Sequence, residues 1–94
     1  MESVVTVPKE IIGQFTFAPQ EVLVDPWLIE QRKWALRKAL SLGNLYHHKV
    51  MITYHLCDRT VQRVVTTVWA VTDRYVTLKG GRIIPVHAIC EVEL

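Results

Sequence analysis

Ninety-four residues, half of them hydrophobic, with a mean hydropathy of +0.19, describe one domain with a thin core. A chain this short buries only about 60–65% of its unfolded surface, so part of its apolar content is expected to meet another chain. The formal net charge of +2 is compatible with nucleic acid but lacks the concentrated basicity of a dedicated binder.

Residues 1–24 include "VVTVPKEIIGQFTFAPQEVLV", in which β-branched and aromatic residues alternate with Pro8, Gly13 and Pro19. This predicts an extended N-terminal arm with short strands around Val4–Val7 and Gly13–Phe17. The arm has no basic stretch leading into an apolar core, and no apolar run in the chain approaches ~18 residues. A cytoplasmic protein without a membrane span is the expectation.

Residues 25–94 read as one helix-plus-barrel domain. "DPWLIEQRKWALRKALSLGN" carries the strongest local signal. Asp25 is a good N-cap, Pro26 suits the first helical position, and Gly43 suits the left-handed residue that closes a helix. A helix over about 26–42 follows. Leu28, Ile29, Ala35, Leu36, Ala39 and Leu40 form its aliphatic stripe. Arg32 falls inside that stripe, so its head must reach solvent or meet an acid. Trp27 and Trp34 lie opposite, beside Gln31, Lys38 and Ser41. Either the arm folds back and covers them with Phe15 and Phe17, or they form a partner surface, where tryptophan is enriched.

After Gly43 the hydrophobic period shortens to two. "KVMITYHLC" sets Val50, Ile52, Tyr54 and Leu56 against Met51, Thr53, His55 and Cys57. Asp58-Arg59 predicts a turn, and "TVQRVVTTVWAVT" a strand long enough to bend between two sheets. Asp73-Arg74 predicts a second turn, followed by "YVTLK", a Gly80-Gly81 hairpin, "RIIPVH" and "CEVEL". Pro85 cannot donate to a ladder, so it belongs at an edge or a bulge. The fold class expected is α+β, mostly β, with one helix preceding a five-stranded antiparallel Sm/SH3-like small barrel. Ile89, Val92 and Leu94 would plug that barrel, and the helix would cover one end.

The stretch from about Trp34 to Leu94 resembles the Sm-like fold of bacterial RNA-binding proteins. "VHAICEVEL" is similar to the "HAI" corner of the RNA chaperone Hfq. The order of helix, "KVMITYHLCD", long strand, "DRYVTL", turn and "RIIPVHAI" looks like the YolD-like family, where an Ile-Pro strand leads into a closing Ile-x-x-Val/Ile. In Hfq the corner histidine follows a lysine and the pair contributes to uridine binding. Here Val86 precedes His87, so the resemblance carries over to His87 alone.

No catalytic signature is present: Ser3 and Ser41 lack a nucleophile elbow, and Gly80-Gly81 is too short for a phosphate loop. His47, His48, His55 and His87 form no ligand spacing, so no metal and no cofactor are expected, and His87 is expected to bond backbone carbonyls at its corner. Cys57 and Cys90 lack CxxC spacing and read as a buried thiol pair in a reducing cytosol, or as a disulfide if the fold brings them together. A non-enzymatic protein is therefore expected. Two binding readings follow. As a self-associating protein-interaction or regulatory module, it would use Trp27, Trp34, Lys38, Ile84 and Val86, with "RIIPVH" of one subunit pairing with "CEVEL" of the next. As a binder of RNA or single-stranded DNA, it would use Arg59, Arg63, Arg74, Tyr75, Lys79, Arg82 and His87 on a barrel rim.

Overall fold

The computed structural model describes residues 4–94. The order is β1 (Val5–Thr6), a 3-10 turn (Lys9–Gln14), α1 (Pro26–Tyr46), β2 (Val50–His55), β3 (Val61–Thr66), β4 (Val68–Val71), β5 (Tyr75–Leu78), β6 (Ile83–Pro85), a second 3-10 turn (Val86–Ala88) and β7 (Ile89–Glu93). One sheet runs β1-β3-β2-β7 and the other β4-β5-β6. Among the described residues the fold is α+β with one α-helix and seven strands.

The expected single five-stranded barrel is corrected to two sheets that are not closed on each other. The long strand does bend, but it breaks at Thr67 into β3 and β4, one in each sheet. β1 adds a strand from the arm, parallel to β3. The last strand pairs antiparallel with β2, with a bulge where Ile89 and Glu91 lie opposite consecutive residues Tyr54 and Thr53. Leu94 does not plug the interior; it is 43% exposed.

The alternation in β2 works as its period requires, with Val50, Ile52, Tyr54 and Leu56 facing inward. They join Val64, Val68, Val76, Leu78, Ile84 and Ile89 in one core. The helix closes over β4 and β7, with Leu36 and Ala39 fully buried. Its start is as expected: Asp25 accepts from the Trp27 N–H at 2.9 Å, and Pro26 opens the first turn.

The end of α1 differs. The helix continues through Gly43 to Tyr46, and His47 takes the left-handed position with φ 53°. Gly43 instead serves packing. A Cβ there would lie 2.5 Å from the Val68 carbonyl oxygen, so only glycine lets the helix come this close to β4.

The arm packs on its own domain. The Val7 N–H donates to the Arg63 carbonyl, the Ala18 N–H to His55, and the Cys57 N–H to Thr16. Phe17 packs edge-on to Tyr54 at 5.4 Å between ring centres. Phe15 and Phe17 are thus spent on the core and do not shelter the tryptophans.

Candidate functional site

The outer face of α1 carries exposed apolar side chains. Because Leu36, Ala39 and Gly43 point inward, the helical repeat turns Trp27 and Trp34 directly outward, and they are 65% and 63% exposed. Lys38 is exposed beside them. A groove of about 850 Å³ separates this face from β7, lined by Trp27, Leu28, Gln31, Trp34, Cys90 and Val92 among others.

β6 and β7 are edge strands, as are β4 and β1, and on β7 the outer-side carbonyl of Ile89 is already taken by Arg32. In β6 the Arg82 carbonyl accepts from Leu78 and the Val86 N–H donates to Arg74. Strand alternation therefore turns Ile83 and Pro85 to the free side, where the missing N–H of Pro85 leaves no gap in the ladder. In β7 the corresponding free backbone is that of Val92, whose side chain packs against the core. Val7 bonds Arg63, so the even residues of β3 serve β2 and the odd residues of β2 serve β7, which occupies Glu91 and Glu93. Ile84, expected at an interface, is fully buried; its side chain belongs to the core. Val86 is half-buried and packs against that core.

The basic residues do not share one rim. Arg74, Tyr75 and His87 converge on a cleft of about 400 Å³, together with Glu21, Arg32 and Asp73. Arg82 and Lys79 sit at the β5–β6 hairpin, where the Arg82 guanidinium lies 3.4 Å from the space a Cβ on Gly13 would take. Arg63 is half-buried on β3, with its Nε enclosed and unpartnered. Arg59 occupies the β2–β3 turn with φ 70°, next to Asp58, whose carboxylate accepts from the Thr60 N–H.

His87 Nε2 lies 2.7 Å from the Ala18 carbonyl, so that nitrogen is the donor, and the bond ties the corner to the arm. His48 Nε2 similarly meets the Leu94 oxygen at 2.8 Å. No group of three metal-binding side chains occurs among the described residues. The cysteines do not form a buried pair: Cys57 is exposed and Cys90 half-buried, both unpaired. Burial, with Glu91 as a second cause, raises the Cys90 thiol above its ordinary pKa.

The pairing that sequence reasoning left unassigned is Arg32 with Glu21. Nη1 and Nη2 donate to the two carboxylate oxygens at 2.6 and 2.5 Å, and Nη1 also reaches the Ile89 carbonyl at 2.9 Å. The hydrogen bonds from Arg32 hold the Glu21 carboxyl below its usual range. An arginine within an aliphatic stripe signalled a buried partner; only folding shows which acid answers it. Leu45 is a second omission, exposed on the same outward face as the tryptophans.

No protein-family model, no curated protein and no solved structure matches the chain. Among the described residues no helix is long and apolar enough to cross a membrane.

Proposed function

We propose that this is a non-enzymatic, self-associating module built on an Sm-like arrangement, in which β6 of one copy pairs with β7 of the next. The carrying observation is that β6 and β7 are edge strands of different sheets, with an apolar groove between β7 and α1. Unpaired edge groups favour a strand partner, and a head-to-tail contact would engage the backbones of Ile83 and Val92, with Pro85, which lacks an N–H, interrupting the ladder between copies locally. Charge supports the direction: Lys79 and Arg82 flank β6, whereas Glu91 and Glu93 lie on β7. The Sm-like reading draws on the bent β3–β4 run and the single 3-10 turn that joins β6 to β7. Two unpaired thiols fit a reducing, cytoplasmic setting.

The test is size-exclusion chromatography with light scattering on the purified chain at micromolar concentration. An assembly heavier than the 10.9 kDa monomer is expected. Ile83→Lys, placed on an exposed side chain of the free edge, is expected to shift it towards monomer while leaving the circular dichroism spectrum unchanged. A monomeric wild type would remove the proposal.

A second reading, binding of RNA or single-stranded DNA, is favoured by one observation: Tyr75, half exposed, shares a cleft with Arg74 and His87. That combination offers base stacking beside a phosphate contact. Co-eluting nucleic acid, with retention that falls steeply with salt and is lost in Arg74→Ala and Tyr75→Ala, is its signature.

A further inference from the structure

Helix α1 carries a second surface, separate from the strand edges. At about 100° per residue, Trp27, Trp34, Ser41 and Leu45 fall within about 20° of one outward line. That line is opposite the buried residues Arg32, Leu36, Ala39 and Gly43. Trp27, Trp34 and Leu45 are all exposed. On one flank of this stripe the helical repeat places Glu30 and Arg37; on the other, Gln31 and Lys38. Among the described residues the single ion pair is Arg32–Glu21, and Glu30, Arg37 and Lys38 have no ionic partner among them.

We propose that this face binds the same face of a second copy, antiparallel, about a two-fold axis at Trp34. The contact deepens the self-association proposed above, and it occurs at a different surface. The charge order decides the direction. A two-fold axis perpendicular to the helix lays each flank along its own copy, reversed. Glu30 then faces Arg37 of the second copy, and Arg37 faces its Glu30, while Lys38 faces the amide of Gln31. A parallel pairing would instead bring Arg37 against Lys38 of the second copy. Reversal also opposes the two helix dipoles favourably. At the axis, Trp34 stacks on its own copy, and the large ring can bury its exposed area at the centre of the contact.

The contact is confined to one helix face, which is smaller than the roughly 1,200–2,000 Å² of a standard interface. A dissociation constant in the micromolar range is therefore expected.

Sedimentation equilibrium on the full chain tests this with charge exchange at exposed positions, where folding is not at stake. Glu30→Arg and Arg37→Glu are each expected to weaken association by about tenfold or more. An equimolar mixture of these two variants is expected to form a heterodimer, since their charges become complementary. The double variant E30R/R37E is expected to recover self-association. Trp34→Ala is expected to weaken it without altering the circular dichroism spectrum. If both single charge variants associate like the wild type while Ile83→Lys dissolves the assembly, the helix contact is overturned and the strand-edge reading stands. If Ile83→Lys leaves a dimer that the charge variants break, the strand-edge contact fails and the helix contact stands. A wild type that stays monomeric throughout overturns both.

Discussion

Glu21 on the arm receives both terminal nitrogens of Arg32 on α1, and the same guanidinium caps the Ile89 carbonyl at the start of β7. One side chain thus joins the arm, the helix and the last strand. Arg32 is buried, whereas Glu21 is partly solvated, so the two substitutions differ. Glu21→Gln strands a buried cation and is expected to cost about 1–3 kcal/mol; Arg32→Met leaves an acid that water can reach and is expected to cost less. Denaturant titration of the two variants checks the order.

The same pair gives an acid limb to stability. The Glu21 pKa is lowered in the folded state from its ordinary 4.5, chiefly by the Arg32 hydrogen bonds. Its contribution is present above pH 4.5 and is lost as pH falls through the folded value. Denaturation midpoints measured from neutral to acid pH are expected to decline less in Glu21→Gln than in the wild type.

Gly43 reads from sequence as a terminator but functions as a spacer. Alanine is normally about 1 kcal/mol better than glycine inside a helix. Here its methyl would meet Val68 backbone, which cannot swing aside. Gly43→Ala is expected to destabilise the fold by about 1–3 kcal/mol despite the propensity gain, seen as a lower Tm. A stabilised variant would mean that the helix does not approach β4 so closely.

Tyr54 is fully buried, its hydroxyl donating to the Gln62 side-chain oxygen at 3.2 Å. Burial pushes its pKa from 10 up to about 12. Below pH 10 both folded and unfolded states keep the proton and the full stability is present. Between pH 10 and 12 the unfolded chain ionises first, so stability falls as pH rises through this window. The slope is expected to be shallower in Tyr54→Phe, with denaturation midpoints over that range as the measurement.

The two thiols should separate kinetically. Cys57 is open to solvent, whereas Cys90 is half-buried with a raised pKa and its Sγ directed at the Thr53 carbonyl, 3.5 Å away. Thiolate is the reactive form, so a disulfide reagent is expected to label Cys57 quickly and Cys90 slowly until the chain unfolds. Cys57→Ser should remove the fast phase.

Much of the architecture is legible locally. The Asp25-Pro26 start needs only a cap and a missing N–H, and the inward set of β2 needs only a period of two. The turns at Asp58-Arg59 and Asp73-Arg74 and the edge position of Pro85 follow from backbone hydrogen bonding alone. The helix end is not legible locally because Gly43 and His47 can both take a left-handed role, and which one does so depends on β4, more than 20 positions away. The basic residues scattered for the same reason: strand parity assigns faces, but it does not say which loops meet.

From its residues alone, this chain determines its helix start, its change to strand rhythm and the alternation that builds its core, because these depend on neighbours within a turn or a pleat. Long-range packing settles that the arm spends its phenylalanines on the core, that Arg32 finds Glu21, and that Trp27 and Trp34 are left facing out. Those outcomes depend on which distant surfaces compete for the same apolar groups, and short-range periodicity carries no record of that competition.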